Sequence, residues 1–170
     1  VLFVHFDDYS KQDKIKMMND LIVNLQLNHS SICKTLKISP FGLLGEKHPI
    51  IFSEFQINGS LFDLIENQNI GKKIDGWNDT KKYINIYGIA HGMAYLHSQN
   101  ILHFNLTTKN ILEDENFYPK INNCCISNDF QSLQTMAKMI ENSPFISPEF
   151  YLKNEYTKMS EVYSFGMIIF

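Results

Sequence analysis

The sequence predicts an α+β fold, because strand patterns and one helix are followed by a region dominated by helices. Apolar runs at residues 1–6 and 48–55 are typical of strands, and a 3.6-residue apolar period over residues 13–27 predicts a helix between them. The longest periodic segment, residues 80–98, predicts a core-facing helix. A chain of 170 residues that is 44% hydrophobic can bury the core of one domain, or of most of one.

Turn and cap signals place the shorter elements. Ser60 ends the "NGS" turn and is expected to cap a short helix that runs through Glu66. Two short strands are predicted around Ile111 and Ile121, joined by the turn "EDEN". Residues 160–170 predict a very apolar helix.

The long helix should begin at an N-cap residue, Asp79 or Thr80. Its apolar stripe is expected to be buried against the helix at residues 162–170, and it consists of Ile86, Ile89, Met93 and Leu96. His91 and His97 are six residues apart on this helix, so they do not share the face that a zinc-binding pair needs. Structural roles are therefore predicted for both histidines.

Composition excludes several classes of partner. All 15 basic residues are Lys, so bidentate Arg contacts to phosphate or guanine are impossible, and no nucleic-acid partner is expected. The sequence contains no apolar run of about 18 residues, so no membrane span is predicted. Cys33, Cys124 and Cys125 form an odd set and indicate reduced thiols in an intracellular, cytoplasmic protein. The chain opens on Val1 and closes on "MIIF", so we expect it to continue beyond both ends.

Four stretches resemble one family in the right order. "GIAHGMAYLHSQNILHFNLTTKNILEDENFYPKI" resembles the long helix, catalytic loop and strand pair of protein kinase domains of the tyrosine-kinase-like group. "HPIIFSEFQINGSLFDLI" resembles the strand, hinge and helix that hold adenine in that family. "NSPFISPEF" resembles the segment that ends in A-P-E, and "MSEVYSFGMIIF" resembles the family's buried helix.

The resemblance implies a bilobal protein-kinase fold, truncated at both ends. Residues 1–57 would form a partial small lobe, from its third strand to the hinge. Residues 58–170 would form a partial large lobe as far as its central buried helix. The Gly-rich phosphate loop would then precede Val1. Scaffold positions of the family are kept at His103, Leu106, Asn110, Pro148, Glu149, Ser164 and Gly166.

The catalytic loop "HFNLTTKN" departs from the family motif H-R-D-x-x-x-x-N at two positions. The family's Asp accepts the proton of the substrate hydroxyl, but Asn105 has an amide without useful proton affinity. The Arg that pairs with a phosphorylated activation loop is replaced by Phe104. His103 and Asn110 keep their family identities, and Glu161 replaces the Asp that braces the loop from below.

The metal-binding and phosphate-binding positions are also altered. "NCC" aligns with D-F-G, so Asn123 replaces the metal carboxylate, and Asn110 is the other candidate ligand of a weakened magnesium site. A purely structural role for Asn110 is an equal alternative. His5 occupies the position of the phosphate-binding Lys, and Asp20 that of the Glu that pairs with it. A solvated Asp on a helix face is the alternative for Asp20.

The resemblance also places an adenine site. Ser53 aligns with the residue at the back of the adenine pocket, and Glu54 to Gln56 align with the hinge. A small residue at Ser53 would leave an apolar cavity, so ATP or a flat heteroaromatic molecule could still bind. A collapsed pocket is the equal alternative.

These substitutions favour a pseudokinase that binds protein partners in signalling, with weakened binding of ATP and magnesium. One alternative is a weakly active serine/threonine- or tyrosine-kinase-like enzyme that relies on positioning alone. Another is a decayed fragment, since an Asn-rich composition could turn Asp into Asn by drift.

Overall fold

The computed structural model describes residues 2–3, 11–39, 50–124, 143–153 and 155–170. In chain order the elements are β1 (Leu2–Phe3), α1 (Lys11–Gln26), β2 (Thr35–Ser39), β3 (Ile50–Ser53), α2 (Leu61–Asn69), α3 (Asp79–Ser98), a 3₁₀ turn (Thr108–Asn110), β4 (Ile111–Glu113), β5 (Pro119–Ile121), a second 3₁₀ turn (Ser143–Phe145), α4 (Pro148–Lys153) and α5 (Lys158–Ile169). This order confirms the predicted mixture of strands and helices. The division into lobes at residues 57 and 58 stays a prediction.

The first half forms a three-stranded antiparallel sheet in the order β1-β3-β2. β3 lies in the centre because Ile50 and Ile51 are both buried and pair on both sides. The sequence did not predict β2, an edge strand in which Leu36 is 59% exposed. Its pairing with β3 is irregular between Thr35 and Lys37, which further weakens the alternation that marks a strand.

Helix α1 forms where the apolar period predicted a helix. Leu21 is fully buried and Asn24 is buried beside it, whereas Ile15, Ile22 and Leu25 of the same pattern are exposed. The period therefore identified the element, but a polar residue takes part in its inner face. The Asn24 side-chain amide donates to the backbone carbonyl of Cys124 at 2.8 Å, which ties α1 to the end of the β4–β5 pair.

The main core lies around α3. Ile89, Met93 and Leu96 are buried in one cluster with residues of α2, β4 and β5, as predicted for these three positions. α3 also contacts α5, where Phe165 packs against this cluster. The prediction was wrong for Ile86, which is only half-buried, because Asn85 takes the inner position at that level.

The start of α3 differs from the prediction by one residue. Asn78 is the N-cap, and its Oδ1 accepts from the Lys81 backbone N–H at 3.1 Å, so neither Asp79 nor Thr80 is the cap. The Ser60 cap of α2 is confirmed and is completed by Asp63 in a capping box.

Helix α5 buries polar residues beside the apolar ones that contact the core. Its buried residues are Ser160, Glu161 and Ser164, whereas Val162 is 52% exposed. The apolar composition predicted the helix. Glu161 is buried because it bonds to the loop that follows α3, and Ser164 because it donates to the Phe145 carbonyl.

Among the described helices, none combines the length and the hydropathy needed to cross a lipid bilayer.

Candidate functional site

The loop between α3 and β4 is held from below by Glu161 of α5. The buried Glu161 carboxylate accepts from the Phe104 backbone N–H at 2.8 Å through Oε1. Its Oε2 pairs with His97 Nε2 at 2.6 Å. The brace that the sequence assigned to Glu161 is therefore geometrically present, and it also fixes the last turn of α3.

His103 connects the loop to the strand pair. Its Nδ1 accepts from the Asn105 backbone N–H at 3.2 Å, and its Nε2 donates to the Asn122 carbonyl at 2.9 Å. Complete burial lowers the pKa of His103, although Glu161 and the Asn122 carbonyl act in the opposite direction. The imidazole is thus neutral with its proton on Nε2, and it positions the loop.

The side chains of Asn110 and Asn123 and the backbone carbonyl of Asn105 meet at the candidate reaction centre. The Asn110 side-chain amide donates to the Asn105 carbonyl at 2.8 Å. Asn110 Oδ1 in turn accepts from Asn123 Nδ2 at 3.0 Å. Asn123 adopts a left-handed backbone with φ 61°, which Asn tolerates better than most residues. The structure therefore brings together all three positions that the sequence singled out.

This arrangement does not fit a magnesium ion. Mg²⁺ prefers octahedral oxygen ligands that include carboxylates, and this group supplies only amides. The one oxygen of the Asn110 side chain is already bonded to Asn123. Within the described residues, no cluster of three His, Cys, Asp or Glu side chains could hold a metal ion instead.

Phe104 lies in an aromatic cluster. Its ring stacks on Tyr156 at 5.1 Å between centroids, and Tyr156 meets Phe150 edge to face at 5.7 Å. Burial, and then Glu161, raises the pKa of Tyr156 above its ordinary value. Only about 20 Å³ of cavity remains among these rings. The sequence missed Tyr156, because nothing in its spacing links it to Phe104.

Ser53 ends β3 beside a very small cavity. The space behind it measures about 10 Å³ and is lined by polar and thiol side chains, including those of Asn24, Cys33 and Asn123. That volume suits about one water molecule. Within the described residues this space is too small for a heteroaromatic ring, and both the adenine pocket at Ser53 and its collapsed alternative stay predictions.

The predicted hinge is paired with the start of β2. The Glu54 N–H donates to the Lys34 carbonyl at 2.9 Å, and Glu54 Oε1 accepts from the Lys34 N–H at 3.0 Å. The Cys33 thiol points at the Glu54 carbonyl, with sulfur and oxygen 3.7 Å apart. Burial raises the pKa of Cys33 to about 11, so the thiol stays protonated. Gln56 is buried, whereas Phe55, which lies between Glu54 and Gln56, is 86% exposed.

The phosphate end of the predicted site is only partly described. His5 lies outside the described residues, as does Cys125. Asp20 lies in α1, but its side chain is outside the described set. The roles assigned to His5 and Asp20 therefore stay predictions.

The structure has a small sheet joined to a helical part, and a buried His and a buried Glu brace the loop between α3 and β4. These features are typical of a domain of the protein kinase class. A family model for protein tyrosine and serine/threonine kinases matches residues 4–170. The chain belongs to this family, which confirms the resemblance to protein kinase domains, whereas the tyrosine-kinase-like group stays a prediction.

Curated relatives support the same family. The chain is 31% identical over 166 residues to cysteine-rich receptor-like protein kinase 19 of Arabidopsis thaliana, covering 94% of this chain and 25% of that protein. It is 28% identical over 166 residues to cysteine-rich receptor-like protein kinase 10 of Oryza sativa subsp. japonica, covering 94% and 25%. It is 27% identical over 166 residues to a G-type lectin S-receptor-like serine/threonine-protein kinase of Arabidopsis thaliana, covering 94% and 20%. The chain thus spans a fifth to a quarter of the length of these relatives.

Proposed function

We propose that the chain is part of a catalytically impaired protein kinase domain, a pseudokinase of the tyrosine-kinase-like group, which acts in the cell as a binding or allosteric module for protein partners. The observation that carries this proposal is the amide chain from Asn123 through Asn110 to the Asn105 carbonyl. Neither a proton-accepting carboxylate nor a metal-binding carboxylate is present at these positions.

The size of the loss can be bounded. A general base typically contributes about 10²–10⁴-fold to a rate, and the Asn105 amide cannot supply it. Charge neutralisation on the transferring phosphoryl group is a separate contribution, and it depends on metal ligands that Asn123 does not provide. Residues that act as a unit fail together, so the two losses do not simply add.

A weakly active kinase is the second candidate, since the loop is still held in place by His103 and Glu161. The relatives named above are protein kinases, and one carries serine/threonine specificity in its name. Positioning alone would then have to supply the remaining rate enhancement.

Phosphoryl transfer from radiolabelled ATP, to the full-length protein itself and to a generic protein substrate, tests the proposal. We expect incorporation by the unmutated full-length protein to equal that of its Asn110→Ala variant. Asn116→Ala is the matched control, because Asn116 lies in an exposed turn away from the loop. Incorporation that is abolished in Asn110→Ala and kept in Asn116→Ala would establish the weakly active kinase instead.

Nucleotide binding is tested separately by thermal unfolding with ATP, with and without Mg²⁺. Because the amides replace the metal carboxylate, any stabilisation by ATP should be the same with and without Mg²⁺. A stabilisation that requires Mg²⁺ would show that the metal site still works.

A further inference from the structure

A surface cavity of about 190 Å³ lies beside the end of β3. Of the residues in the predicted hinge, Glu54 alone lines this cavity. The connection between α1 and β2 forms one side, and Lys120 of β5 lies on another. Leu27 and Ile32 supply apolar contacts and are themselves almost completely buried. The cavity thus combines a small apolar base with a mostly polar lining.

The cavity walls are held by hydrogen bonds. The Ser31 N–H donates to His29 Nδ1 at 3.1 Å, and the Ile121 N–H donates to the Ser31 carbonyl at 2.8 Å. The Lys120 ammonium donates to the Ser30 carbonyl at 2.8 Å, which fixes it at the rim. A ligand would therefore meet a wall whose shape is already set.

The charge of the lining is positive. Lys34 and Lys120 bring two ammonium groups, whereas Glu54 brings one carboxylate. Neither lysine forms an ion pair within the described part of the chain. One Glu54 oxygen is engaged by the Lys34 backbone N–H, at 3.0 Å. One net positive charge remains, and a ligand with a single negative charge would balance it.

His29 shows that a metal ion is the wrong ligand class. Its Nδ1 accepts from Ser31, so its proton lies on Nε2, which donates to His91 Nδ1 at 3.1 Å. A metal ion could bind Nε2 only if this nitrogen lost its proton, which would turn the ring into an imidazolate anion. Burial, followed by the charges of His91 and Lys120, lowers the pKa of His29. The ring is thus neutral at pH 7 and lies in the positive field of Lys120.

We propose that this cavity binds a small carboxylate, whose charged group lies between Lys34 and Lys120 and whose alkyl part lies on Leu27 and Ile32. The carboxylate could belong to a free short-chain acid or to an acidic side chain of a peptide, because the contacting atoms are the same. The site does not depend on whether the domain transfers phosphate.

Butyrate is the probe, and its binding is followed by the NMR signal of the His29 Cε1–H at low ionic strength. A saturable shift is expected with a Kd on the order of 1–10 mM, because the ligand has few heavy atoms. Butyramide has the same shape without the charge and should cause no saturable shift. Acetate lacks most of the alkyl part and should bind more weakly than butyrate.

Lys34→Gln and Lys120→Gln should each weaken butyrate binding about fivefold. This change in Kd corresponds to the loss of one exposed charge contact of roughly 1 kcal/mol. Lys37→Gln is the matched control, because Lys37 is exposed on β2 and does not line the cavity. Circular dichroism melting of each variant verifies its fold. Equal binding of butyramide, a response that stays linear to about 100 mM, or full binding by both lining variants would overturn the proposal.

A glutamate-containing peptide amide, compared with its glutamine counterpart, separates the two sources of the carboxylate. Tighter binding of the glutamate peptide than of butyrate would assign the site to a protein partner. Weaker binding than butyrate would assign it to a free acid.

Discussion

Replacing Glu113 with Gln is expected to stabilise the protein at neutral pH and to remove a pH dependence. Glu113 ends β4 and is completely buried. The Asn85 amide donates to its Oε2 at 3.2 Å, but its Oε1 has no hydrogen-bond partner within the described residues. Burial raises the pKa of Glu113 from 4.5 to about 8; the bond from Asn85 opposes this change, and the charge of Asp114 adds to it.

The sign and size follow from linkage. Because the pKa of Glu113 is higher in the folded than in the unfolded state, the folded state holds a proton between pH 4.5 and 8 that the unfolded state releases. As the pH rises through this window, the free energy of unfolding therefore falls by about 1.4 kcal/mol per pH unit. The total is about 4 kcal/mol from pH 4.5 to 7.5. Below pH 4.5 the group is neutral in both states, so it contributes no pH dependence there.

Urea denaturation at four pH values from 4.5 to 7.5 measures this term. The difference in free energy of unfolding between wild type and Glu113→Gln should grow by about 4 kcal/mol over that range, because all other titrations are common to both proteins. Glu115→Gln is the control, since Glu115 is exposed in the same turn and should give a difference close to zero. Parallel curves for wild type and Glu113→Gln would refute the assignment of a neutral, buried carboxyl.

Three further outcomes are expected. Phe104→Ala should lower the free energy of unfolding by about 1–3 kcal/mol through loss of its aromatic contacts, whereas Phe55→Ala, at an 86% exposed side chain, should stay within about 0.5 kcal/mol. Gly92→Ala should lower the free energy of unfolding by about 1–3 kcal/mol, since a Cβ there would lie 2.7 Å from a core carbon. Gly166→Ala has open space around the new Cβ and should raise the free energy of unfolding by up to about 1 kcal/mol. Chemical denaturation checks both pairs of variants. Asn105→Asp should leave phosphoryl transfer undetectable in the radiolabel assay, because the base returns without a metal carboxylate; clear transfer by this single variant would contradict the amide-based explanation.

The sequence was informative where a pattern is local or a motif is long. The apolar period of α3, the Ser60 cap and the pairing of the strands at Ile111 and Ile121 all depend on neighbouring residues, and each is present. The order of four motifs indicated the family, which the match over residues 4–170 confirms.

The features that the sequence did not predict arise from contacts between distant segments. β2 forms because β3 offers a partner, although its own residues are half-exposed. Glu161 of α5 is held by the loop after α3, a contact that the apolar composition of the helix does not reveal. Glu113 stands in a short apolar strand, and only the fold shows that it faces Asn85.

The same contacts explain why the loop keeps its shape with altered chemistry. Glu161 and His103 are buried and bonded to the backbone, so removing either would leave unpaired polar groups in the core. Asn123, in contrast, has a side chain that can donate to Asn110 Oδ1, which a carboxylate cannot do. An Asp at this position would face the amide oxygen of Asn110 and could bond only if that amide turned its N–H toward the carboxylate. The amide at Asn123 therefore holds the strand pair to the loop without a rearrangement of Asn110.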